Sequence, residues 1–129
     1  MAYNSPISST TQYGVVKVGT GIDVTNGVIS VSEGVVSTVL VNNAASPYSV
    51  TATDYYIGVV GTGVDVQIDL PAGTDGRILV IKAEAGQTSN VLIVPDGAET
   101  IENTINYSIL AASDGSVTLV FRGTNWNVV

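Results

Sequence analysis

Residues 14–33 read GVVKVGTGIDVTNGVISVSE, and this stretch decides the fold class. Asn26-Gly27 is the strongest short-range hairpin signal, because a two-residue type I′ turn needs positive φ at both central positions. A turn there pairs Thr25 with Val28, Val24 with Ile29 and Ile22 with Val31. Ile22, Val24, Ile29 and Val31 then share one face, while Asp23 and Ser30 take the other. Turn and alternation specify the same register, and a slip of one residue would turn the whole apolar set outward. Gly19-Thr20-Gly21 marks a second turn, with Val16 and Val18 alternating before it. A lone two-stranded hairpin is marginal in water. One with a full apolar stripe has to pack on the rest of the chain or on copies of itself.

The β reading extends to the rest of the chain. Among 129 residues there are 22 Val, 11 Ile and 14 Thr, against only 6 Leu. β-Branched side chains suit a pleated surface and lose rotamer freedom in a helix. Val64, Val66, Ile68 and Leu70 alternate with Asp65, Gln67 and Asp69, and Pro71 closes the run, as in a strand with one wet face. Ile78–Ile81 and Val91–Val94 are apolar on both faces. Pro95-Asp96-Gly97 is a turn in which Pro sets φ and Gly supplies the left-handed position. Gly123-Thr124 fits a type II′ turn that places Phe121 opposite Trp126 and Leu119 opposite Val128. Within residues 98–114 the spacing of apolar residues fits a helix face or a strand. The β-branched run TIENTINYSI, poor in helix formers, favours strand. The expectation is an all-β protein: a polar, Ser/Thr-rich tail at 1–13, a shaft-like segment at 14–47 ending near Pro47, and a C-terminal β-sandwich or barrel-like domain at 48–129.

Charge and composition narrow the chemistry. The net charge is −7, and the four cations, Lys17, Arg77, Lys82 and Arg122, are too scattered to track phosphates, so no nucleic-acid partner is expected. The chain has no Cys and no His, which removes thiolate ligands and the commonest general base. No apolar run approaches the ~18 residues of a membrane span, so no membrane insertion is expected. Asp65 and Asp69 would stand about 13 Å apart on a strand rising ~3.3 Å per residue, farther than glycosidase carboxylates. They read as a solvated strand face. Asp96, Glu99 and Glu102 with Asn103 could offer oxygen ligands to a cation, but they follow no EF-hand pattern and read as a solvated loop. Gly61-Thr62-Gly63 lacks the Lys and helix of a phosphate loop and reads as a hairpin turn. Asp54 beside Tyr55 and Tyr56 has the make-up of a sugar-contacting cluster, though a turn-flanking Asp among core aromatics is the plainer reading. No catalytic, metal or cofactor site is expected, which disfavours a small hydrolase.

Two stretches resemble virion proteins. Alternating apolar residues, Gly19-Thr20-Gly21, a short strand, Asn26-Gly27 and a second alternating strand look like one repeat of the triple β-spiral in adenovirus and reovirus fibre shafts. They look still more like short shaft segments of bacteriophage tail fibres. In those shafts three chains wind about an axis lined by the apolar stripe, so the resemblance implies a homotrimer with Ile22, Val24, Ile29 and Val31 in the seam. The runs SPYSVTATDYYIGV, IDLPAGTDGRILVIKAEAG and GSVTLVFRGTNWNVV resemble a small domain near the C-termini of tail fibres of phages and large DNA viruses, the closing G-T-N-W being its most specific piece. The implied protein is located in the virion and docks on other virion proteins through residues 1–13. Its outer domain is expected to contact host-surface glycan, with Tyr48, Tyr55 and Tyr56 as the stacking residues. The competing role is a capsid decoration or cement protein that clamps capsid subunits.

Overall fold

The hairpin expected at Asn26-Gly27 is the first element of the computed structural model, which describes residues 22–25, 28–31, 35–111 and 114–129. Strands β1 (Ile22–Thr25) and β2 (Val28–Val31) pair antiparallel, with Ile22 opposite Val31, Val24 opposite Ile29 and Thr25 opposite Val28. They form a two-stranded sheet of their own. The tail at 1–13 and the turn residues 19–21 and 26–27 lie outside the described residues, as do the side chains of the expected seam.

A second compact unit runs from Val36 to Val129. Its strands are β3 (Thr38–Asn42), β4 (Tyr48–Ser49), β5 (Tyr56–Val60), β6 (Val66–Asp69), β7 (Ile78–Ala83), β8 (Val91–Val94), β9 (Thr100–Ile101), β10 (Tyr107–Ile109), β11 (Ser116–Arg122) and β12 (Asn125–Val128). They make a six-stranded sheet, ordered β3-β5-β7-β11-β12-β9, and a four-stranded sheet, ordered β10-β8-β6-β4. From β3 to β10 each strand lies in the other sheet from the one before it. Within the sheets β3, β5 and β7 run parallel, and so do β4, β6 and β8. Parallel neighbours need a crossover connection. Here the crossover is itself a strand of the opposite sheet, so the chain winds in a solenoid-like coil. β10 then returns antiparallel on β8, β11 antiparallel on β7, and β12 on β11, while β9 pairs parallel with β12.

The architecture is all-β, with its core between two sheets, but it is built by winding and not by stacking hairpins. Two expectations change as a result. Thr38–Asn42 belongs to the six-stranded sheet through its pairing with β5, so the boundary falls at Val36 and not near Pro47. Gly61-Thr62-Gly63 is not a hairpin turn; it lies on the connection that carries the chain from β5 in one sheet to β6 in the other.

Alternation sorts the side chains. Val41, Ile57, Val59, Leu79, Ile81 and Leu119 from one sheet meet Val66, Ile68, Val91 and Ile93 from the other, and all are fully buried. At about 25 cal/mol per Å² of apolar surface, each such side chain contributes roughly 1.5–3 kcal/mol. Val64, expected inside with this set, is 65% exposed, because β6 starts only at Val66. The ambiguous stretch 98–114 holds two short strands and no helix among its described residues. Glu102 (φ 50°) and Asn103 (φ 62°) turn the backbone between them, which leaves Ile105 80% exposed while Ile101 and Ile109 are buried.

The C-terminal hairpin has the expected register, Phe121 opposite Trp126 and Leu119 opposite Val128. Gly123 takes φ +68°, as the first position of a type II′ turn requires. The Phe121 and Trp126 rings meet edge to face, centroids 5.1 Å apart and planes at 64°, and Trp126 is fully buried.

Candidate functional site

Residues Thr51–Asp54 join β4 to β5, and their polar groups converge on two side chains. Arg77, one residue before β7, donates from Nη1 to the Ala52 carbonyl at 2.6 Å and from Nη2 to the Thr51 carbonyl at 3.1 Å and the Asp54 carbonyl. Asp54 turns its carboxylate the other way, accepting from the Thr51 N–H at 2.7 Å and the Tyr48 hydroxyl at 2.9 Å. The loop therefore presents carbonyls to a cation on one side and a buried carboxylate to a phenol on the other. Next to it Ala52, Pro71, Ala72, Thr74, Asp75, Gly76 and Arg77 line an open cleft of about 460 Å³.

Burial raises the pKa of the Asp54 carboxyl. The hydrogen bonds from Thr51 and Tyr48 and the charge of Arg77 outweigh burial and hold it below its ordinary 3.8. The folded value thus lies below the unfolded one. The contribution of Asp54 to stability is whole above the unfolded pKa and is lost as pH falls through the lowered folded value. Asp54→Asn keeps an acceptor for Thr51 and Tyr48 but loses the charge facing Arg77. The expected result is a variant less stable at neutral pH, with a flatter stability curve between roughly pH 5 and 2. Urea titrations across that range check it; parallel curves for the two proteins would remove Asp54 from the loop's electrostatics. Burial, and the bond and charge of Asp54, raise the Tyr48 phenol above its ordinary 10.0. That contribution persists below pH 10.0 and is lost as pH rises through the folded value.

Tyr48, Tyr55 and Tyr56 are half-buried. Tyr48 packs against the core from β4. Tyr56 lies on the opposite side of the six-stranded sheet, its hydroxyl donating to Glu84 Oε1 at 2.9 Å. Those two tyrosines are not brought to one surface, although both phenols are held by a carboxylate. The Glu84 carboxylate occupies the space a Cβ would take on Gly58, which explains a glycine inside β5.

Several other acidic groups act as structural acceptors. Asp65 accepts from the Asn90 N–H at 3.0 Å, and Asp69 from Gln67 Nε2 at 2.7 Å. Glu99 accepts from the Gly73 N–H at 2.8 Å and from Trp126 Nε1 at 3.2 Å, and Glu102 from the Val128 N–H at 2.6 Å. Glu99 and Glu102 therefore stitch loops to the C-terminal hairpin. Among the described residues no three acidic side chains gather as cation ligands.

Neither a family model nor a curated protein matches the chain. Sequence reasoning passed over Glu84, gave Arg77 no partner and read Glu99 as part of a solvated loop, where the structure ties it to Gly73 and Trp126. One signal was available for Arg77: in a chain with four cations, one placed immediately before an apolar strand has a specific partner to meet.

Proposed function

We propose that the chain is a non-enzymatic virion surface protein, fibre- or spike-like and built as a homotrimer. On this reading residues 1–13 dock on another virion protein, and the β-domain is exposed to host-surface glycan. The observation that carries the reading is the β1–β2 unit. Its two described strands pair in a specified register, and a two-stranded sheet is marginal on its own. Copies winding their hairpins about a common axis supply what it lacks, with Ile22, Val24, Ile29 and Val31 in the seam. For glycan contact, Tyr48 is a ring already held by the Asp54 carboxylate, so stacking on a sugar costs little entropy, and Tyr55, next to Asp54, is the second contact; Tyr56, on the other side of the six-stranded sheet, is not part of that surface.

Ile22→Asp is expected to weaken the trimer by several kcal/mol, since each of three copies would bury an unpaired charge. Sedimentation at increasing dilution measures this, and an unchanged dissociation profile would remove Ile22 from the seam. The virion reading is tested by immunogold labelling of particles assembled with the full chain or with residues 2–13 deleted. Label on the surface of the first particles and not the second is expected. Absence from both, or equal labelling, overturns the reading. Label spread over the capsid and not the tail selects the cement role.

A further inference from the structure

We propose that the outward face of the six-stranded sheet is a self-association surface, covered in the assembly by a second copy of this chain. The proposal rests on the trimer reading above and adds a contact within the β-domain to the seam in the hairpin.

The strands alternate, so each side chain pointing into the core has neighbours pointing away from it. Opposite the buried Leu79, Ile81 and Leu119, the outward positions are Ile78, Val80 and Val120. Register makes them contiguous: Val120 lies beside Ile78, and Tyr56 beside Val80. Leu40, 63% exposed on edge strand β3, extends the strip. The free face of a one-sided sheet is ordinarily polar. Ser116, Thr118, Asn125 and Asn127 take other outward positions on β11 and β12, so the apolar strip is concentrated on β3, β5 and β7 with Val120. The four-stranded sheet has Gln67, Asp69 and Ser108 outward beside Leu92 and Val94.

Charge names the occupant. Copies of a chain with net charge −7 repel one another over most of their surface. None of the outward strand residues of the six-stranded sheet is Asp or Glu, and two of the chain's four cations, Lys82 and Arg122, stand among them. A carboxylate does lie over this face, that of Glu84 above Gly58 in β5; it accepts from the Tyr56 hydroxyl, and the register puts Lys82 beside Gly58. This is the face on which acidic copies can approach. Its size also fits a supporting role. Six strands at about 4.8 Å spacing and roughly 16 Å mean length give a plan area of roughly 450 Å². A standard interface buries about 800 Å² per partner, so the face acts together with the hairpin seam and not alone.

The chain has no Cys, so single-cysteine variants of the full chain report on chosen positions. Val80→Cys probes this face and Ser108→Cys the other sheet. A short bis-maleimide is expected to cross-link Val80→Cys between copies and to leave Ser108→Cys uncross-linked. Val80→Glu is expected to raise the concentration at which the oligomer dissociates by about tenfold or more in sedimentation. Blue-shifted Trp126 emission serves as the check on folding. Should Val80→Glu fail that check, Val80→Thr, with the same branching, takes its place with a smaller shift in the same direction. An oligomer that leaves Val80→Cys uncross-linked and dissociates unchanged in the folded variant overturns the proposal and leaves the trimer reading standing on its seam. A chain that stays monomeric at every concentration overturns both. Cross-linking at Val80 with Ile22→Asp sedimenting as wild type upholds the face and rejects the seam.

Discussion

Trp126→Ala is expected to cost about 3–5 kcal/mol of folding free energy, the usual range for deleting a large buried aromatic. Three losses combine. The indole is fully buried, so its removal leaves a cavity that the flanking strands cannot close. Its edge-to-face contact with Phe121 disappears, worth roughly 0.5–1.5 kcal/mol beyond buried area. Glu99 Oε2 also loses its indole donor. Urea unfolding followed by circular dichroism would measure the change, with the midpoint moving at a nearly constant slope. In the wild-type protein Trp fluorescence should be blue-shifted and resist aqueous quenchers. A red-shifted, freely quenched spectrum, or a cost below about 1 kcal/mol, would place Trp126 at a surface and not in the core.

Gly73→Ala is expected to have the second largest effect on the folding of the β-domain, for the opposite reason. A Cβ on Gly73 would overlap three ring carbons of Phe121. That ring is buried, paired with Trp126 and unable to swing away as a long exposed side chain could. Overpacking of this kind costs typically 1–3 kcal/mol, occasionally more. The Gly73 N–H also donates to Glu99, so any shift of the loop that relieves the clash loosens the same carboxylate that holds Trp126. The two substitutions should therefore not add. With the indole gone, Phe121 has room to move, and Gly73→Ala should cost less in the Trp126→Ala background than alone. A double-mutant cycle by urea unfolding reads this coupling; strict additivity would show that Gly73 and Trp126 do not share the Phe121 ring.

The parts of the fold legible in the sequence are those with local signatures. Asn26-Gly27 and Gly123-Thr124 each bring two adjacent runs together, and both hairpins have the expected register. Burial of Trp126 and Phe121 followed from alternation in the second of them. Winding has no such signature. Tyr56 pairs beside Val80 and Val66 beside Val91 across long connections, and no turn residue announces those pairings. Their strands read the same whether neighbours run parallel or antiparallel. For that reason Gly61-Thr62-Gly63 looked like a hairpin turn and Thr38–Asn42 like part of the shaft. The candidate site was half legible. The Tyr and Asp residues around 48–56 stood out by composition. Their partners Arg77 and Glu84 are more than twenty residues away in sequence, and the coil alone brings them near.

The order of strands also governs when a newly made chain can become competent. β5 to β8 can wind onto the sheets as they emerge, because each pairs with a strand already made. β9 cannot: its partner is β12, which follows it in sequence, and Thr100 and Glu102 donate to carbonyls of Thr124 and Trp126. Until β11 and β12 arrive, the free edge of β7 and the place for Trp126 stay open, and the middle of the chain waits on later residues. Non-local pairings of this kind are slow to form and leave edges exposed meanwhile. Val120, Thr118 and Arg122 come from the same late strands, so on a nascent chain about half of the outward face is missing. On the self-association proposed above, a folding order that withholds this face until the core is shut protects a crowded polysome from premature joining of its chains.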